Sequence, residues 1–156
     1  TEVTAGMMQK ADIRKCSAAD VKEIAEIEKN CIPDGWSEKA FEEWLSGDGK
    51  ILLGAFADGR MIGFANGSWV IDEGELLNIA VLEEYRRHGT AALLYEQIEK
   101  EFSDNGVRTV YLEVREKNIP AIKFYQKNGF EQSGLRKNYY KNPHDNAVLM
   151  CKKIIG

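Results

Sequence analysis

Apolar positions in this chain switch repeatedly between a period near two and a period near 3.6, and each switch marks a predicted element. Residues 11–16 read as a short strand. Ser17, with Asp20 three positions on, forms a variant capping box, and Val21, Ile24, Ala25, Ile27 and Glu28 then recur at helical spacing to about Asn30. Pro33-Asp34-Gly35 breaks that helix. Ser37 can cap a second one, with Ala40, Phe41, Trp44 and Leu45 on its apolar face and Gly47 as its stop. Residues 50–57 and 61–71 are apolar runs joined at Asp58-Gly59, a hairpin signal. A second turn is expected at Asp72-Glu73-Gly74, followed by a third strand over 75–81. Ala91, Leu94, Tyr95, Ile98 and Phe102 lay one stripe along a helix that runs from Gly89 to Asn105-Gly106. Residues 109–114 alternate as a β-branched strand. Asn118 and Pro120 open a helix over 121–128 that Gly129 ends. Closing strands are expected near 130–134 and 146–154.

That order predicts an α/β fold with a mixed sheet flanked by helices. The early strands form antiparallel hairpins, while the later strand-helix-strand unit requires a central parallel pair, because a crossover helix returns the chain in the same direction. At 156 residues and 17.6 kDa the chain fits one domain, residues 10–156. Residues 1–9 show no period and carry Met7-Met8 internally, so they are expected to be a disordered extension or an expression remnant outside the fold.

Composition then narrows the partners. The longest apolar stretch, residues 51–57, is far short of the ~20 residues that span a bilayer, and no secretory signal opens the sequence. No membrane association is expected. Lysine and arginine number 21 against 25 acidic residues, a net charge of -4. Direct nucleic-acid binding, which depends on neutralising phosphates, is therefore not expected, whereas a basic peptide would be tolerated. Cys16, Cys31 and Cys151, with His88 and His144, have no metal-ligand spacing, so no metal is expected. An odd set of cysteines without CxxC spacing fits reduced thiols in the cytoplasm.

Two segments carry candidate chemistry. In Ile79-Ala80-Val81-Leu82-Glu83-Glu84-Tyr85-Arg86-Arg87-His88-Gly89-Thr90-Ala91-Ala92, an apolar strand enters a loop with two arginines and a glycine then opens a helix. The first helical N–H groups lack intrahelical acceptors and the helix dipole is positive there, so the segment can cradle an anion. A solvated loop is the plainer alternative. In the second segment, Leu112-Glu113-Val114-Arg115 leads through Asn118 to Phe124-Tyr125 and Gly129-Phe130. Glu113 could be a base or a surface carboxylate, Tyr125 an acid or a core ring, and Asn118 a ligand contact or simply a helix cap. Tyr139-Tyr140 follows in what reads as a basic hairpin tip, Gly134-Leu135-Arg136-Lys137-Asn138.

Arg86, Gly89 and Ala91 resemble the Gln/Arg-x-x-Gly-x-Gly/Ala pyrophosphate loop of the GCN5-related N-acetyltransferases (GNAT). With Trp36-Ser37-Glu38, the Leu-Glu-Val-Arg strand, the paired tyrosines and Asp145-x-Ala147-x-x-Met150, the chain is similar to their ribosomal-protein-alanine (RimI-type) branch over residues 11–150. Gly35 replaces the usual proline before Trp-Ser, and Leu82 stands where many relatives have aspartate. The resemblance implies an acetyl-CoA-dependent transferase acting on a protein N-terminus, with the N-terminal alanine of a small-subunit ribosomal protein as the expected acceptor. It implies Glu113 as base and Tyr125 as acid. It also implies acetyl-CoA held by Ile79, Ala80, Val81, Arg86, Arg87, His88, Gly89, Thr90, Ala91, Ala92 and Asn118, and the acceptor held by Tyr139 and Tyr140. A small amine or a lysine side chain as acceptor, or a CoA-binding module without turnover, are the alternatives.

Overall fold

The computed structural model describes residues 11–31 and 36–154. The expectations for residues 1–9 and for the break at Pro33-Asp34-Gly35 lie outside the described residues. Seven strands and four helices follow in the order β1 (Asp12–Lys15), α1 (Val21–Cys31), α2 (Glu38–Leu45), β2 (Lys50–Ala57), β3 (Arg60–Val70), β4 (Glu73–Val81), α3 (Thr90–Asp104), β5 (Thr109–Arg115), α4 (Ile119–Lys127), β6 (Glu131–Tyr140) and β7 (Asp145–Lys153). They form one sheet ordered β1-β2-β3-β4-β5-β7-β6. Every neighbouring pair is antiparallel except β4 and β5 at the centre, where α3 makes the crossover. Among the described residues no helix is long and apolar enough to cross a membrane.

The sheet is covered on both faces, which explains the continuous apolar run of β2. Ile51 and Leu53 join the core beneath α3, with Leu94, Ile98 and Phe102. Leu52, between them, turns to the opposite face with Phe64, Ile24 and Phe41 under α1 and α2. The α4 side chains Ala121, Ile122, Phe124 and Tyr125 pack on the α3 side. Local caps form as their residue types dictate. Ser17 and Asp20 make the reciprocal capping box, Ser37 Oγ accepts the Ala40 N–H at 3.1 Å, and Asn118 Oδ1 accepts the Ala121 N–H at 3.3 Å.

Two boundaries differ from the sequence expectation. Asp72-Glu73-Gly74 is not wholly a turn: Glu73 and Gly74 already pair with Val70 and Trp69 in the β3–β4 ladder. Gly74 is small for a different reason. A Cβ there would lie 2.9 Å from Phe102 Cε1 and 3.1 Å from Val107 Cγ1, so the glycine lets α3 lie close to the sheet. The sixth strand does not stop near residue 134 but continues to Tyr140. The tyrosines expected on a loop therefore stand at the end of a strand.

Candidate active site

The site begins where the parallel ladder fails. β4 and β5 pair only at Glu73↔Thr109, Gly74↔Val110 and Glu75↔Tyr111. Beyond these pairs the strands part, β4 running on to Val81 and β5 to Arg115. The start of the split coincides with a bulge: Asn66 pairs with Asn78 but Gly67 pairs with Leu76, leaving Leu77 as the extra residue of β4. A bulge bends its strand and sharpens the local twist, here away from β5.

The backbone of β4 lines one side of the opening. The Leu82 N–H bonds the Ile62 carbonyl at 2.8 Å, so by alternation Ala80 and Asn78 also turn their peptide groups to β3, and Ile79 and Val81 turn theirs toward the split. The side chains of Ala80 and Val81 are buried, which leaves main-chain groups as what this stretch can offer a ligand.

At the end of β4 the chain curls through Arg87 (φ 69°) and Gly89 (φ 81°) into α3. Arg86 Nε donates to the Val81 carbonyl at 2.8 Å, tying the loop to the strand end. Arg87, His88, Gly89 and Ala92 are exposed, Thr90 is buried and Ala91 packs partly against the core. Gly89 is the cap residue of α3 and supplies no side-chain cap, so the N–H groups of residues 90–92 open onto this loop. A Cβ on Gly89 would meet no atom within 4 Å. The cradle is thus positive, backbone-lined and roomy, which fits a pyrophosphate group. Asn118, expected in the same ligand set, lies at the start of α4 as its cap.

The other side of the opening belongs to β5. Val110, Leu112 and Val114 face the core, so Tyr111, Glu113 and Arg115 share the opposite face, continuing the surface that α1 and α2 cover over β2, β3 and β4. With Glu75, Ser133, Arg136 and Leu149, Tyr111 and Glu113 line a cleft of about 480 Å³. Tyr139 Oη donates to Glu113 Oε1 at 3.4 Å, and Arg136 Nη1 stands 3.7 Å from Glu113 Oε2. Burial and the nearby negative charge of Glu113 push the Glu75 carboxyl above the usual range, with Arg136 and Lys50 opposing. The cleft therefore holds two carboxyl groups, Glu75 and Glu113, beside one guanidinium, Arg136.

Tyr125 lies on α4 and packs against the α3-side core, its ring edge-on to Phe124 and Phe130. Burial pushes its hydroxyl pKa well up, with a smaller contribution from Tyr140, so Tyr125 holds its proton at neutral pH. Burial likewise raises Tyr140, with Glu113 and Tyr139 adding to the shift. Tyr140 is thus in electrostatic reach of both Glu113 and Tyr125. The structure brings Glu113, Tyr139 and Tyr140 together, while Tyr125 packs in the α3-side core and residues 79–92 run from the end of β4 through the loop into α3. Sequence reading did not single out Arg136 and Glu75; their only signal was period-two spacing on strands whose pairing was unknown.

A split central ladder, a helix start that can hold an anion and the Glu113 carboxylate on β5 make up the candidate site. The chain belongs to the acetyltransferase (GNAT) family, whose family model matches residues 21–130. It is 36% identical over 140 residues to the [ribosomal protein bS18]-alanine N-acetyltransferase of Salmonella typhimurium, covering 88% of this chain and 94% of that protein. The crystal structure of the ribosomal-protein-S18-alanine N-acetyltransferase from Escherichia coli superposes with a TM-score of 0.87 at 32% identity, covering 94% of this chain and 95% of that one. Arabidopsis thaliana NAA60 in complex with acetyl-CoA shares the fold, with a TM-score of 0.83 at 22% identity, over 94% of this chain and 99% of that one.

Proposed function

We propose that this chain transfers the acetyl group of acetyl-CoA to the α-amine of a protein N-terminus, and that its acceptor is the N-terminal alanine of a small-subunit ribosomal protein. The observation that carries this reading is the cleft itself, where Glu113, Tyr139 and Arg136 converge within hydrogen-bonding or ion-pair reach beside the opening between β4 and β5.

The split sheet suits the chemistry. Acetyl-CoA would supply the thioester, and its pyrophosphate would be held by the N–H groups of residues 90–92 with Arg86, Arg87 and His88 around them; Asn118, at the start of α4, would complete the set. The main chain of Ile79 and Val81 would hold the arm along the β4 edge, with Ala80 between them keeping its peptide groups on β3. A free α-amine has an ordinary pKa of about 7.7–8.0, so much of it is protonated at neutral pH and must lose a proton to attack. Glu113 accepts that proton, directly or through a water. An N–H of β4 near Val81 steadies the oxyanion as the carbonyl becomes tetrahedral, and Tyr125 returns a proton to the departing thiolate. No covalent enzyme intermediate is needed.

Tyr139 and Tyr140 supply two hydroxyls that can hydrogen-bond the first amide groups of a peptide, which a polyamine or a lysine side chain does not present beside its amine. Initial rates on a peptide panel test the reading. Free N-terminal Ala peptides should be acetylated well, and N-terminally blocked peptides with internal lysines, free lysine and polyamines poorly. Preference for blocked lysine peptides or polyamines would overturn the acceptor assignment. CoA binding without turnover on any amine would leave a binding module.

A further inference from the structure

We propose that Arg115 is a positioning residue for the acceptor, acting through the tyrosine pair; this rests on the reading that Tyr139 and Tyr140 hold the incoming N-terminus. The ladder between β6 and β7 cannot position that pair by itself. Arg136 pairs with Ala147 and Tyr140 with Asp145, so residues 137–139 face Asn146 alone. Asn138 absorbs the extra length at φ 53°, and its N–H bonds Asn146 Oδ1 at 2.8 Å in place of a backbone partner. This bulge returns Tyr139 to the face of Glu113, although Arg136 and Tyr139 are an odd number of residues apart and would otherwise point oppositely.

What fixes the far end of the bulge is Arg115. It is the last residue of β5, two positions beyond Glu113 and on the same face. Its Nη1 donates to the Pro143 carbonyl at 2.8 Å and its Nη2 to the Lys141 carbonyl at 3.4 Å. The same guanidinium lies 4.4 Å from the centre of the Tyr140 ring. Tyr140 stands edge-on to Tyr139 at 5.1 Å, and Tyr139 bonds Glu113. The contacts close a circuit that leaves β5 at Arg115 and returns to it at Glu113. One strand therefore carries both the base and the group that spaces the acceptor-binding rings from it. A planar fork can hold two carbonyls while stacking on a ring; an ammonium on a flexible stem cannot do all three.

Arg115→Met and Arg115→Lys test the assignment beside a Tyr139→Phe/Tyr140→Phe protein, with steady-state kinetics on an N-terminal Ala peptide, CoA affinity, and amide exchange across residues 138–146. Arg115→Met should raise the peptide KM about 10-fold while kcat falls less than about 3-fold and CoA affinity is unchanged, the split expected when orientation of one substrate is lost. Arg115→Lys should not restore the KM, because charge alone is not what is required. Both variants should speed exchange in 138–146. If exchange quickens and the KM stays at the parent value while the tyrosine variant raises it, Arg115 is only a structural clamp and the inference fails alone. Full rescue by lysine also overturns it. If the tyrosine variant itself leaves the peptide KM unchanged, the acceptor role of the pair fails and the inference falls with it.

Discussion

Glu28 gives the sharpest energetic test of the packing of α1. It lies on α1 with 1% of its surface exposed. The Trp36 N–H bonds its carboxylate, while Oε2 has no partner among the described residues. Burial raises its pKa from an ordinary 4.5 to about 7, the Trp36 bond opposing. The folded chain therefore holds a proton that the unfolded chain releases. The stabilisation tied to the neutral form is complete below pH 4.5 and is lost as pH rises through 7. At 1.36 kcal/mol per pKa unit the ceiling is about 3 kcal/mol, of which roughly 2 kcal/mol falls between pH 5 and pH 8. Glu28→Gln keeps the shape and does not titrate. Urea unfolding of both proteins, followed by tryptophan fluorescence, should show the variant gaining about 1–2 kcal/mol relative to the parent on going from pH 5 to pH 8. Every other titratable group is common to both proteins and cancels in the difference. A difference between the proteins that stays flat with pH would mean that Glu28 ionises in the fold as it does in water, and the argument from its burial would be wrong.

Three further outcomes bear on the site. Gly89→Val forces a β-branched residue to φ 81° and fills the open side of the cradle; thermal protection by CoA, which follows RT ln(1 + [L]/Kd), should largely vanish, and an unchanged shift in the folded variant removes the cradle. Glu113→Gln should slow acetyl transfer by roughly 10²–10⁴-fold, with the deficit shrinking as pH rises above the ordinary pKa of the amine; a pH-independent deficit, or none, leaves Glu113 without a role as base. Tyr125→Phe should lower kcat while CoA affinity holds, and equal losses in both would make Tyr125 a contact of the CoA arm rather than the acid.

What the sequence made legible was local. The Ser17–Asp20 capping box, the Asp58-Gly59 hairpin and the stripe of Leu94, Ile98 and Phe102 each depend on residues a turn or two apart, and each is where the local pattern puts it. Gly74 reads as a turn residue because a glycine required by close helix packing on a strand looks the same, in one dimension, as a glycine required by a turn. The strand β6 was shortened for a related reason. It is an edge strand with little burial on either face, so no alternation is written into Leu135-Arg136-Lys137-Asn138-Tyr139-Tyr140. Of the candidate site residues, Gly89 and Asn118 are visible through helix-start chemistry and Ala91 through the family resemblance. Arg136 on Glu113 and Arg115 on the 141–143 turn join strands distant in the chain, and no local pattern encodes such a pairing.

The split between β4 and β5 ties these levels together. A complete parallel ladder would spend the β4 peptide groups on β5 and keep the two faces of the sheet apart. Because the ladder ends at Glu75↔Tyr111, the later part of β4 does not pair with β5, and Tyr125 of α4 packs on the α3 side of the sheet while Glu113 stands on the other face. On the proposed mechanism, base and acid need not share a surface, since the thioester lies in the gap between them. The bulge at Leu77 that opens the gap is therefore as much a part of the site as any side chain in it, and it does its work by withholding hydrogen bonds rather than making them.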